Sequence, residues 1–283
     1  MDNFRYVVIG HPLGHSMSPF IHRRLFALQG REEDYGSVDI PPEELAGRLA
    51  GMLETVRGLN VTIPHKQAVI PLLDRLEGRA KLYRSVNTIA VTESGAVGYN
   101  TDADGFLCAL KAGGVSLAGR VALLGCGGVG RTFACEAALA GCRLINAVRP
   151  EDFEASRALK DYVLSLVPGA AFETVELSRL SGDFDLLINA TPVGMYPRCD
   201  ASPVDPGVLA RCAAVFDAVY NPEETRLLSA ARAAGARTVG GMPMLVWQAA
   251  VAHTCWYGAD FQAEAVASII ADANVYMNQH FRQ

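Results

Sequence analysis

Residues 121–148 constrain the fold of this chain more than any other stretch. Val121-Ala122-Leu123-Leu124-Gly125 is apolar throughout and runs straight into Cys126-Gly127-Gly128-Val129-Gly130. A short apolar run ending in glycines predicts a strand buried on both faces, the strand type of a parallel sheet. Apolar residues at helical spacing over 129–140 predict a helix, and 143–148 predicts a second strand. Strand, glycine turn, helix and strand together make a βαβ unit. Gly125, Gly127 and Gly130 have the GxGxxG spacing. The first glycine permits the tight turn, the second lets the backbone approach a pyrophosphate, and the third lets helix pack on strand. The helix start, at Gly128 and Val129, offers unpaired N–H groups and a favourable dipole to phosphate. Flanked in this way, the glycine loop predicts a dinucleotide site; a bare glycine turn would not.

The end of the second strand bears on which dinucleotide. An acid there would hold the ribose 2′-hydroxyl of NAD, and an arginine suits the 2′-phosphate of NADP. This chain has Arg149, Pro150, Glu151 and Asp152. Arg149 favours NADP. The two acids could cap the next helix, repel a phosphate, or hold the ribose of NAD, so NAD stays open as a second cofactor.

A length of 283 residues suits about two domains. Strand-like runs at 6–9, 35–40, 58–62 and 85–91 alternate with helical runs at 19–29 and 42–55. After a restart near 105–120, the glycine-rich unit is followed by a helix over 151–167, strands at 172–176, 186–190 and 215–218, and helices over 244–257 and 261–280. This alternation predicts a parallel α/β architecture. Ser18 before Pro19 reads as an N-cap with proline at the first helical position. A hydrophobic half, 19% charged residues and a formal charge of −5 fit a folded chain without a nucleic-acid surface. No apolar run reaches membrane-spanning length, and the opening residues lack the pattern of a signal peptide. Seven scattered cysteines without a CxxC pair point to a reducing cytoplasm, and six scattered histidines to no metal.

Four polar constellations lie outside the glycine-rich unit. In HPLGHSMSP, Ser16 and Ser18 follow a strand and precede a helix, where two hydroxyls could face a carboxylate. In GLNVTIPHK, Asn60, Thr62 and Lys66 stand at a strand end that Pro64 terminates, with a helix able to start at His65. Crevices outside strand ends are where open α/β sheets bind ligands. Asn87 lies in the strand-like SVNT. Asn100, Thr101 and Asp102 precede a helix in GYNTDADGF, where Asp102 alone would read as a cap.

Together these segments resemble the shikimate dehydrogenase family. The likeness extends through NATPVGM at 189–195, DAVYNPEETRLL at 217–228 and GMPMLVWQAA at 241–250, and so covers nearly the whole chain. It implies an N-terminal α/β substrate domain and a Rossmann-type, doubly wound NAD(P) domain with the active site in the cleft between them. The substrate domain would be discontinuous, 1–104 and 244–283, with 105–243 as the dinucleotide domain. The resemblance implies that Lys66 and Asp102 are the catalytic pair. Ser16 and Ser18 would hold a carboxylate, with Tyr220 near it. Asn60, Thr62, Asn87, Asp102 and Gln248 would hold ring hydroxyls. Gly125, Gly127, Gly128, Val129, Gly130 and Arg149 would bind the cofactor, with Asn189, Ala190, Thr191, Gly241 and Met244 on its nicotinamide side. The implied reaction is NADP-dependent reduction of 3-dehydroshikimate to shikimate, in aromatic amino-acid biosynthesis, by a monomer or homodimer acting on a small molecule. Quinate or an amino-shikimate is the alternative substrate, and a non-catalytic nucleotide or metabolite sensor the distant alternative. The chain departs from the family where its usual Asn-Arg-Thr reads Val148-Arg149-Pro150. That removes two hydrogen-bonding side chains and one N–H from the 2′-phosphate site. Glu151 falls where an acid occurs in members that accept NAD. More minor departures are Ser85 and Gly130, in place of the usual small alanines.

Overall fold

The computed structural model describes residues 4–14 and 16–281; His15 of the HPLGHSMSP segment lies outside them. The chain divides into two compact units. The first takes the residues up to Gly105 together with Val246–Phe281, and the second takes Phe106–Leu245.

The first unit is built on β1 (Tyr6–Gly10), α1 (Ser18–Leu28), β2 (Tyr35–Asp39), α2 (Leu45–Leu53), β3 (Gly58–Val61), β4 (Arg75–Leu76), α3 (Arg79–Tyr83), β5 (Thr88–Thr92), β6 (Gly95–Tyr99) and the start of α4 (Asp102–Ala112). Its six strands lie in the order β2-β1-β3-β5-β6-β4. The parallel sheet expected from the sequence is here a mixed one: β2, β1 and β3 run parallel, while β5 pairs antiparallel with both β3 and β6. The run at 85–91 starts as a strand only at Thr88 and turns back through a hairpin into β6, a strand the apolar pattern did not signal. Gly98 interrupts that pattern for a packing reason: a Cβ there would stand 2.7–2.9 Å from Leu73, Leu76 and Val86. One apolar cluster gathers Val7, Ile9, Leu49, Leu59, Val61 and Ile89. Another gathers Tyr6, Val8, Phe26 and Tyr35 with Trp256 packed against it.

The second unit holds β7 (Arg120–Leu124), α5 (Gly128–Leu139), β8 (Arg143–Val148), α6 (Phe153–Leu166), β9 (Phe172–Glu176), β10 (Leu186–Asn189), α7 (Pro206–Leu209), β11 (Ala214–Asp217), α8 (Arg226–Ala233) and β12 (Arg237–Val239). All its strands run parallel in the order β12-β11-β10-β7-β8-β9. The order reverses at β7 and β10, which is the switch point where doubly wound sheets bind ligands. Every side chain of Val121–Leu124 is buried, as the uniform apolar run requires. α9 (Gly241–Tyr257) contributes its first residues to this unit and its remainder to the first, which also takes α10 (Ala263–His280). Among the described residues no helix is long and apolar enough to cross a membrane.

Candidate active site

In the first unit, three chain segments converge on one carboxylate. Lys66 Nζ donates to Asp102 Oδ2 at 2.6 Å, and Asn87 Nδ2 donates to Asp102 Oδ1 at 2.9 Å. Lys66 follows the end of β3. No helix begins at His65; residues 63–69 form successive turns, and His65 is buried with its Nε2 2.6 Å from the Ile40 carbonyl. Two backbone bonds fix the height of the segment: Val86 N donates to the Lys66 carbonyl at 2.7 Å, and Val61 N to the Asn87 carbonyl at 2.9 Å.

Asp102 is the first residue of α4, and its side chain does not cap that helix. The N–H of Asp102 is taken by Asn100 Oδ1 at 3.2 Å, and the N–H of Thr101 by Asn87 Oδ1 at 2.7 Å. The helix start is thus satisfied by two asparagines, which leaves the carboxylate to Lys66 and Asn87. Asn87 is 3% exposed and also meets the hydroxyls of Thr88 and Thr101. Gln248 Oε1, from α9, stands 3.5 Å from Asn87 Nδ2. Thr88 and Thr101 are therefore part of this network, although neither was among the predicted site residues. The pair itself stays partly open, with Lys66 30% and Asp102 17% exposed.

The remaining predicted substrate residues of this unit come from β3, the residue after it and the start of α1. Asn60 is buried in β3. Thr62 follows it, its N–H bonded to the Ile9 carbonyl at 2.9 Å. Ser16 and Ser18 are half-buried at the start of α1. The expected N-cap is not formed by Ser18. That residue is already helical, Met17 occupies the cap without a side-chain bond, and Ser16 Oγ accepts the Ser18 N–H at 3.2 Å.

In the second unit the glycine loop runs from the end of β7 into α5. Gly125 has φ +90° and faces Thr191, whose methyl would be 2.9 Å from an added Cβ. Gly130 lies close to the Gly125 carbonyl and to Ala190. A Cβ on Gly127 or Gly128 would meet nothing within 4 Å. The protein's own packing does not demand glycine there, and the open space at the start of α5 leaves room for a pyrophosphate, so the loop fits a dinucleotide. The supporting turn 189–191 is itself held. Asn189 Oδ1 accepts from Thr191 N and Oγ1 at 3.0 and 2.7 Å, while Asn189 Nδ2 donates to Asp217 Oδ1 at 2.9 Å. Asp217 is fully buried and also accepts from Val219 N and Thr225 Oγ1; burial pushes its carboxyl up, against those hydrogen bonds. Asp217 opens the DAVYNPEETRLL segment, yet nothing in the local pattern distinguished it from an ordinary strand end. Tyr220, next along the chain from Val219, is half-buried, and burial raises its phenol pKa. Gly241 opens α9 with no room for a side chain: a Cβ would stand 2.4 Å from the Ala218 carbonyl. Met244 is buried one turn later.

Arg149 differs from these. It is 63% exposed and paired with its own neighbours: Nε with Asp152 Oδ2 at 2.8 Å and Nη1 with Glu151 Oε1 at 3.2 Å. The Asp152 bond, then the two carboxylate charges, raise its pKa. The acids do not cap α6 through their side chains. Arg149 and Pro150 also line a groove of about 370 Å³ with Glu176, Ser178 and Ser202.

Residues 8–89 fit the family model of the shikimate dehydrogenase substrate binding domain. Over 278 residues the chain is 37% identical to the shikimate dehydrogenase (NADP(+)) of Moorella thermoacetica, covering 94% of this chain and 92% of that one. The crystal structure of shikimate 5-dehydrogenase from Thermus thermophilus, in complex with NADP(H) and shikimate, superposes with a TM-score of 0.84. It has 35% identity and covers 95% of this chain and 99% of that one. Quinate dehydrogenase from Corynebacterium glutamicum, in complex with NAD, superposes with a TM-score of 0.85 at 31% identity, covering 95% of this chain and 99% of that one. Identity of this size over nearly full length, with the glycine loop and the Lys66–Asp102 pair both in place, makes the chain a member of the shikimate dehydrogenase family.

Proposed function

We propose that this chain catalyses the reversible, NADP-dependent reduction of 3-dehydroshikimate to shikimate, a step of aromatic amino-acid biosynthesis. The observation that carries this reading is the Lys66–Asp102 ion pair, fastened at its other oxygen by the buried Asn87. Reduction of a ketone needs a hydride on carbon and a proton on oxygen. NADPH, bound along the loop from Gly125 to Gly130, would supply the hydride. The rest falls to the chain's own side chains. Lys66 gives its proton to the developing alkoxide and takes it back in the oxidation. Asp102 orients the ammonium and a neighbouring ring hydroxyl, and Asn87 keeps Asp102 from turning away. Ser16 and Ser18 hold the carboxylate, with Tyr220 near it; Asn60, Thr62 and Gln248 hold ring hydroxyls. Asn189, Ala190, Thr191, Gly241 and Met244 shape the nicotinamide side, and Arg149 meets the 2′-phosphate. The substrate domain of this reading is 1–104 with 244–283, and the cofactor domain is 105–243. Free thiols at all seven cysteines suit a reducing cytoplasm, and a monomer or homodimer is the form the reading expects.

A second reading, a quinate or amino-shikimate dehydrogenase that uses NAD or both cofactors, draws on the pairing of Arg149 with Glu151 and Asp152. Steady-state rates with shikimate, quinate and amino-shikimate, each with NADP and NAD, test both. The highest kcat/KM is expected for shikimate with NADP. Strong NAD preference would overturn the cofactor assignment. No turnover in any combination would leave a non-catalytic nucleotide or metabolite sensor.

A further inference from the structure

The first unit buries a row of titratable side chains that the proposed chemistry does not use. His253 Nδ1 lies 2.6 Å from the Tyr257 hydroxyl, and its Nε2 lies 2.8 Å from His22 Nδ1. The His22 ring stacks flat on Tyr35, with centroids 4.1 Å apart and planes 3° from parallel. Tyr35 is wholly buried at the start of β2, and its hydroxyl donates to Asn60 Oδ1 at 2.6 Å. The direction of this bond follows from chemistry. An amide oxygen only accepts, so the single phenolic proton goes to Asn60. Burial holds Tyr35 in the protonated form this needs, its pKa far above the ordinary value. With Oδ1 committed, Asn60 Nδ2 is directed at the Asn87 carbonyl (3.3 Å) and Thr88 Oγ1 (3.1 Å). A flipped amide would set its oxygen against the Asn87 carbonyl, two acceptors with no proton between them. Tyr35 reaches Asn60 across the intervening β1, and the ring stack on α1 and α9 fixes the phenol in place.

We propose that Tyr35 is a positioning residue for the substrate: its one hydroxyl holds the Asn60 amide in a single orientation, and so sets how Asn60 meets a ring hydroxyl. The inference rests on the role given to Asn60 above. Tyr35→Phe keeps the ring and its stack on His22 and deletes only the hydroxyl. Shikimate binding is measured calorimetrically on the full chain without cofactor, alongside NADP⁺ binding and steady-state rates. The expected result is a shikimate Kd raised about fivefold to tenfold, the size of one lost hydrogen bond. KM should rise with it, kcat should fall less than KM rises, and the NADP⁺ Kd should not change. A folded Tyr35→Phe protein with unchanged shikimate Kd overturns the inference, as does an equal loss of both ligands, which marks a purely structural role. Should Tyr35→Phe fail to fold, Thr88→Val tests the same amide from its other end, and unchanged shikimate affinity there overturns the inference equally. Wild-type protein that neither binds nor turns over shikimate defeats the proposed function itself, a result distinct from a wild type that binds beside a variant that binds as well.

Discussion

The Lys66 site and the Arg149 corner each place a cation against a carboxylate at 2.6–2.8 Å, and they are built in opposite ways. Lys66 and Asp102 are 36 residues apart, partly buried, and joined through an asparagine from a third segment. Arg149 pairs with acids two and three positions along its own turn, and most of its side chain is in water. The first arrangement exists only once β3, β5, β6 and α4 are assembled; the second needs a single turn. Breaking a partly buried, hydrogen-bonded pair leaves a charge without its partner, which is costly, whereas exposed pairs are readily exchanged. The Lys66 geometry is therefore set before any ligand arrives. The Arg149 geometry is one that an incoming phosphate can take over.

The largest effect should come from the preset region. Lys66→Met keeps the aliphatic stem and removes the proton, and kcat for shikimate oxidation should fall by about 10² to 10⁴. Thermal stability should fall as well, because Asp102 is left charged without its ammonium partner. A variant with near-normal turnover would break the contrast, because the ion pair would then be structural. Asn87→Ala comes next. It strips an acceptor from Thr101 N and a donor from Asp102 inside a buried network, and should cost about 1–3 kcal/mol in urea unfolding together with a fall in kcat. Loss of activity without loss of stability would show that the anchor is not preset by the fold.

The buried histidines sharpen the contrast through pH. Burial, followed by the neighbouring His253, pushes His22 well below 6.5, and burial pushes His253 down to about 3. The unfolded chain takes up protons below 6.5 that the folded chain refuses. The stability these residues confer is thus complete above 6.5 and lost as pH falls from there toward 3, by up to about 1.4 kcal/mol per pH unit for each histidine. Urea unfolding at pH 7.5, 6.5 and 5.5 should show this slope, and His253→Gln should flatten it. A flat wild-type profile would mean that the pair takes up protons while folded.

The same contrast explains what was legible in the sequence. The glycine loop and its flanks could be read because turn, pyrophosphate approach and helix start are all set within ten residues, and the apolar run of β7 marked a doubly buried strand. The order of strands at the switch point adds only where Thr191 stands behind Gly125. The carboxylate of Asp102 was ambiguous because local chemistry made it a cap. The competing fact, Asn100 taking that N–H, depends on how the β5–β6 hairpin brings Asn87 beside Thr101. The hairpin itself was hidden by Gly95 and Gly98, which break the period-two pattern. Tyr35, His22 and His253 come from a strand and two helices, with the histidines 231 positions apart in the chain, and no spacing rule links them. The family resemblance supplied the roles of Lys66, Asn87 and Gln248; it said nothing of Asp217, which holds Asn189 from β11.

The smallest predicted effect lies at Arg149. Asp152→Asn removes the charge closest to the guanidinium and leaves a side chain that can still accept from Nε. The remaining Glu151 contact at 3.2 Å keeps the arginine near its turn. Two consequences run in the same direction: the guanidinium is freer to meet a 2′-phosphate, and one negative charge facing that phosphate is gone. The ratio of kcat/KM for NADPH over NADH should therefore rise, by about twofold to fivefold, with NADH itself scarcely affected. Because both partners are exposed, salt should screen the gain, so that it shrinks between about 0.05 M and 0.5 M ionic strength as the Debye length shortens from about 14 Å to about 4 Å. A gain that survives high salt would mean that Asp152 acts by shape, and an equal change for NADH would mean that it acts on the turn as a whole. Either outcome would place the Arg149 corner with the preset regions and not with the exchangeable ones.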